Sequence, residues 1–213
     1  VLGKKYRGKP KGKLKALCND LAKHPMTARH IANKLCLHFI SDTPSEEAIQ
    51  LIENVYNQSS GDLIKTHHAV VDAVIKYGDT STKFLQPELW FFNVHKAVGG
   101  GLPLKFLGQS DNWGNDQTNN ILYEMGHLNS RTPQPNGWSD LAVDWLTPEM
   151  MDRRVRYIIQ LSPKLEYKLK FDPDEYAINF FGKDSAEAAD VKAAPTFTRA
   201  CLKIFCHPKF MRT

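Results

Sequence analysis

The feature that most narrows what this chain can fold into is its punctuation, which is of the helical kind almost throughout. Capping residues or prolines recur just ahead of amphipathic runs, and glycine recurs just after them. Thr27 heads a run in which Ala28, Ile31, Ala32, Leu35 and Phe39 return every three or four residues. A helix is expected there to about Ile40, with Ile31, Leu35 and Phe39 on its buried face. Thr43-Pro44-Ser45-Glu46 has the form of a capping box with proline at the first helical position, opening a helix through Ala48, Leu51, Ile52 and Val55. Asp62 starts the next helix, over residues 63–77, and Gly78 stops it. Pro87 starts another, rich in aromatics at Trp90, Phe91 and Phe92, which ends at Gly99-Gly100-Gly101. Upstream, a short helix is expected over residues 14–23, ahead of Pro25.

The second half is looser but carries the same signs. Helices are expected over residues 116–125, from Thr147-Pro148-Glu149 to about Leu161, from the Asp172 capping box to Gly182, and over residues 195–206. Residues 132–138 read as an irregular Pro- and Gly-containing loop, and Trp138 and Trp145 bracket a short segment after it. Strand signals are scarce, with residues 165–171 the one alternating stretch of note. The expected fold class is all-α: an irregular multi-helix bundle with long loops that contain proline, glycine and tryptophan. A basic lead-in arm is expected over residues 1–15 and a single helical domain over 16–213, with 99–115 as the best internal seam.

Composition enters where it excludes classes. With 213 residues, 42% hydrophobic and 24% charged, the chain is long and apolar enough to bury a core without disulfides or metal. No apolar run reaches the length a bilayer helix needs, since residues 85–98 are broken by Gln86, Glu88, Asn93, His95 and Lys96. The net charge is +5, yet Lys4, Lys5, Arg7, Lys9, Lys11, Lys13 and Lys15 carry +7 with no acid among them, so residues 16–213 carry −2. That arm has one aromatic residue, Tyr6, and lacks the stacking platform that nucleic acid calls for; nucleic acid is not the expected partner. Cys18, Cys36, Cys201 and Cys206 form no CxxC pair. Buried free thiols are the favoured reading for them, and a Cys18–Cys36 bridge is the alternative.

No GxSxG, HExxH or GxxxxGK[ST] motif is present. His30 and His38 share a helix but stand eight residues, or about 12 Å, apart, so no metal site is expected and no cofactor is implied. Asp140, Asp144, Glu149 and Asp152 crowd around the tryptophans and supply the material for a paired-carboxylate hydrolase; helix caps and surface acids account for them more simply. Trp113, Trp138 and Trp145 are expected to anchor loops to the helical body.

A combination of motifs nonetheless resembles one family. Val1-Leu2-Gly3-Lys4-Lys5-Tyr6 is followed by Leu21-Ala22-Lys23-His24-Pro25-Met26-Thr27-Ala28-Arg29-His30-Ile31-Ala32 and by Lys34-Leu35-Cys36-Leu37-His38-Phe39. Ser41-Asp42-Thr43-Pro44, Ser60-Gly61-Asp62-Leu63, Gly108-Gln109, Pro135-Asn136-Gly137-Trp138, Trp145-Leu146 and Pro208-Lys209-Phe210-Met211-Arg212 complete the pattern. It resembles the bacterial domain of unknown function 1800 family over nearly the whole chain. The resemblance implies a predominantly helical, exported protein, periplasmic or secreted, of which this chain is expected to be the C-terminal half. It also implies a protein partner from a neighbouring exported family. It assigns no catalytic residue. The polar positions it singles out are His24, Arg29, His30, Lys34, His38, Asp42 and Trp138. The expected function is a binding or assembly module; the alternative is a hydrolase of a cell-envelope polymer, using the acids near Trp138 and Trp145 or the histidine cluster.

Overall fold

Among the described residues, seven helix starts are fixed by a side chain that accepts a hydrogen bond from a free backbone N–H: His24, Ser45, Asp62, Thr147, Asp172, Ser185 and Thr196. Between these caps the computed structural model describes residues 1–78, 83–99, 117–128, 132, 134, 135 and 137–212. The described residues contain helices and no strand, so the chain is all-α. They form two compact units, residues 1–83 and 84–213. The seam expected at 99–115 lies, but for Gly99, outside the described residues, as does Trp113.

The first unit holds α1 (Pro10–Ala22), α2 (Pro25–Phe39), α3 (Glu46–Gln58) and α4 (Leu63–Tyr77). Its core is small-chained: Ala32, Cys36 and Ile40 of and after α2 meet Ala48, Ile49 and Ile52 of α3 and Ala69, Val70 and Ala73 of α4. This corrects the expected face of α2. The i, i+4 row Ala28, Ala32, Cys36 faces inward because short side chains let the helices approach closely, while Phe39 is left 53% exposed. The α2 cap is His24, whose Nδ1 accepts from the Met26 N–H, whereas Thr27 lies inside the helix and its hydroxyl donates to the Leu21 carbonyl. The α3 cap is likewise Ser45 rather than Thr43. Pro10 starts α1, so residues 10–15 of the basic arm are helical. At the α3–α4 turn Gly61 has φ +85, and a Cβ there would sit 3.2 Å from the Tyr56 hydroxyl, which is occupied donating to the Ala22 carbonyl.

The second unit holds α5 (Pro87–Ala97), α6 (Gln117–Glu124), α7 (Ala142–Trp145), α8 (Pro148–Lys164), a π-helical turn (Leu165–Leu169), α9 (Pro173–Phe181), α10 (Ala186–Lys192) and α11 (Phe197–Phe205). The short α10 goes beyond the helices expected from sequence. The alternating stretch is helical for a visible reason: Leu165 is fully buried and Leu169 packs on the core, but Tyr167 is 75% exposed, so the spacing in use is four rather than two. Pro163 lies just ahead and deprives the helix of one N–H, and the backbone relaxes into the wider π turn, closed by Lys170 at φ +52. Trp90 and Phe91 of α5 pack with Ile158 and Leu161 of α8 and Ile204 and Phe205 of α11. The Trp90 indole N–H donates to the Phe205 carbonyl at 2.8 Å. No helix among the described residues is long and apolar enough to cross a membrane.

Candidate functional site

The polar positions singled out in the first unit are spread along α2 and its flanks, from His24 at the helix start to Asp42 beyond its end. Arg29 forks onto two acids of α3, with Nη1 3.1 Å from Glu53 and Nη2 2.5 Å from Glu46. That pairing raises the arginine pKa and lowers that of Glu46. Asp42 pairs with Lys83 at 2.6 Å. His24 is spent on its cap, and His30, Lys34 and His38 lie on the exposed side of α2 one turn apart. No group of three or more metal-ligating side chains gathers among the described residues.

Trp138, by contrast, stands in a built environment. Its indole N–H donates to the Leu128 carbonyl, and its ring packs 5.2 Å from His127 and 5.8 Å from Trp145. Trp145 in turn donates to the Ser139 carbonyl, which also accepts from Gln86. His127 is almost fully buried, its Nδ1 has no hydrogen-bond partner, and burial lowers its pKa, with Glu88 opposing and Arg154 assisting. Beside this cluster lie Arg154, His95 and Tyr157, all buried; the His95 Nε2 and Tyr157 hydroxyl are 2.5 Å apart. None of the four was singled out by sequence. Arg154 had a signal, because it falls on the apolar stripe that Tyr157, Ile158 and Leu161 continue; His127 had none. The cluster is largely buried and aromatic, and Trp138 and Trp145 each hold a loop carbonyl through the indole N–H.

A groove of about 740 Å³ opens between α6 and α8, lined by Tyr123, Glu124, Glu149, Asp152, Arg153 and Arg156 among others. Two of the acids raised as hydrolase candidates reach it, each engaged by an arginine one turn on: Glu149 with Arg153 and Asp152 with Arg156, both at 2.6 Å. Asp144 is exposed on α7 and Asp140 is half-buried ahead of it.

Among the described residues, α4 also carries an exposed apolar surface. Thr66, Ala69, Val70 and Ala73 form its buried face. On the opposite side Ile64, Val71 and Ile75 fall within about 40° of one another and are 71%, 56% and 78% exposed. Leu63 and Val74 widen that stripe, and His67 and His68 lie along it. Lys65 and Lys76 border it on one side, with Asp72 between them. A helix apolar on both faces is suited to lie between two layers.

Against proteins already grouped by sequence, residues 1–210 match the family model described as a protein of unknown function (DUF1800). The chain belongs to the DUF1800 family. The motifs spread from Val1 to Arg212 thus pointed to the family that the match returns. No curated protein and no solved structure matches this DUF1800 chain.

Proposed function

We propose that this DUF1800 chain is a binding or assembly module of an exported bacterial protein, periplasmic or secreted. Its docking element is the outer face of α4, and its occupant is a protein partner, from a neighbouring exported family, that presents an apolar helix edged by acids. The observation that carries the reading is the second apolar face of α4, with Ile64, Val71 and Ile75 open along about 16 Å of helix. Exposed apolar residues clustered in this way mark an interaction surface, whereas the same residues scattered would mean nothing. Lys65 and Lys76 at the border favour an acidic rim on the partner. The setting and the partner's origin rest on the family resemblance. The ion-paired state of Glu149 and Asp152 gives the hydrolase reading less to stand on.

The test is a photo-crosslinking residue placed at position 75 in the producing cell, with position 192 of α10 as the control. A single acidic protein attached at 75 alone, and lost when Val71→Glu is added without change in thermal melting, is the expected result. Attachment to a second copy of the chain, equal attachment at both positions, or an adduct indifferent to Val71→Glu overturns the reading.

A further inference from the structure

We propose that α1 is a separate interaction element that lies on an anionic lipid surface. Residues 1–23 carry eight cations, Lys4, Lys5, Arg7, Lys9, Lys11, Lys13, Lys15 and Lys23, and a single acid. That acid, Asp20, is already engaged by the Lys4 ammonium at 3.1 Å and the Tyr6 hydroxyl at 3.0 Å. The rest of the positive charge is presented outward, because no residue of α1 is buried.

The same helix carries an apolar stripe. Leu14, Leu17, Cys18 and Leu21 fall within about 100° of one another. Leu14 is 60% exposed, Cys18 and Leu21 are exposed, and Leu17 is half-buried toward the rest of the unit. Lys11 and Lys15 border the stripe on one side and Lys13 on the other. This is the arrangement an interfacial helix uses: leucines enter the acyl boundary while lysine stems reach back to the headgroups. The surface potential of an anionic leaflet complements the charge and decides the occupant. Nucleic acid would use the lysines but gains nothing from exposed leucines, and the one aromatic ring of the arm, Tyr6, is tied to Asp20 rather than offered for stacking.

The experiment uses the full chain labelled at Cys18 with an environment-sensitive dye. Cys18 is the one exposed thiol of the four. Unlabelled protein is followed in parallel by vesicle sedimentation. The probes are phosphatidylcholine vesicles, alone or with about one third phosphatidylglycerol. A blue shift and co-sedimentation with the anionic vesicles only, weakened by salt and unaffected when inorganic phosphate replaces chloride at constant ionic strength, are expected. Reversing Lys11, Lys13 and Lys15 to Glu lowers partitioning at least about a hundredfold. Leu14→Gln, at a position that supports no core, abolishes the blue shift while salt-sensitive attraction persists. Equal binding to neutral vesicles, no blue shift with anionic ones, competition by free phosphate at constant ionic strength, or tighter binding to duplex DNA that Leu14→Gln leaves unchanged overturns the proposal.

Discussion

Arg154 donates through Nη2 to the carbonyl of Leu85 at 2.7 Å, and it does so from inside a core with no ion-pair partner among the described residues. Its charge is faced instead by the rings of Phe84, 4.7 Å away, and Trp90, 5.3 Å away. Leu85 is held from its other side too, since its N–H donates to the Met211 carbonyl at 2.8 Å. Arg154 therefore fastens the start of the second unit at the point where the C-terminal residues also grip it. Burial lowers the arginine pKa to about 10, and Nε and Nη1 have no hydrogen-bond partner.

This arrangement separates two substitutions. Arg154→Ala loses the volume, the ring contacts and the bond to Leu85, and is expected to cost about 2–4 kcal/mol. Arg154→Met keeps most of the volume and removes a desolvated charge, and is expected to fall within about 1 kcal/mol of the parent. Urea unfolding followed by tryptophan fluorescence measures both. Equal costs would mean that the charge, rather than the packing, holds the segment.

The His95–Tyr157 pair makes stability depend on pH from the acid side. Burial lowers the His95 pKa to about 4 and raises that of the Tyr157 hydroxyl. In the unfolded chain the histidine takes up its proton near pH 6.5, so between about 6.5 and 4 the unfolded state binds more protons than the folded one. Stability is therefore full above about pH 6.5 and falls as pH drops toward 4, by roughly 3 kcal/mol from this group. Buried His127, lowered in the same direction, steepens the fall. His95→Gln, which retains a hydrogen-bonding group for Tyr157, is expected to flatten the slope between pH 7 and 4.5. A His95 ring resonance that titrates near pH 6.5 in the folded protein would contradict this account.

The Arg29 fork gives a prediction about geometry rather than charge. Its two nitrogens serve Glu46 and Glu53 together, which a single ammonium cannot reproduce. Arg29→Lys is expected to lower the unfolding midpoint of the first unit, and His30→Gln, on the exposed side of the same helix, to leave it nearly unchanged. Circular dichroism melts of the two variants decide between a positioning role for Arg29 and a merely solvated one.

Where the sequence was legible, it was because a local rule coincided with a tertiary need. Asp62, Pro87, Thr147 and Asp172 mark true helix starts, since a cap works whatever the helix later packs against. The inward face of α2 was misjudged because periodicity weights large apolar residues, while the core selected the small row of Ala28, Ala32 and Cys36. Residues 165–171 alternate on paper, but Pro163 and the burial of Leu165 override that weak pattern. In the aromatic cluster Trp138 belongs to a motif, whereas nothing local in the sequence distinguishes its neighbour His127 as a histidine destined for the space between two indoles. The outer face of α4 was hidden for the opposite reason. Its apolar residues read as core, and only exposure tells them apart from Ala69 and Ala73.

The cysteines give a chemical check on both units. All four are free thiols, so the Cys18–Cys36 bridge left open by the sequence is absent. Cys36 and Cys201 are buried, and burial pushes their thiols up to about 11 and about 12; half-buried Cys206 is pushed up to about 11, with Arg154 opposing. The reactive species is the thiolate, so high pKa and poor access suppress reaction together at these three positions. Cys18, by contrast, is exposed to solvent. With a thiol-reactive chromophore at pH 7.5, one equivalent is expected to react promptly in the native protein and the remaining three only after unfolding. Replacing Cys18 by Ser should abolish the prompt phase. A prompt phase that survives the substitution would mean that Cys36, Cys201 or Cys206 opens to solvent in the native state.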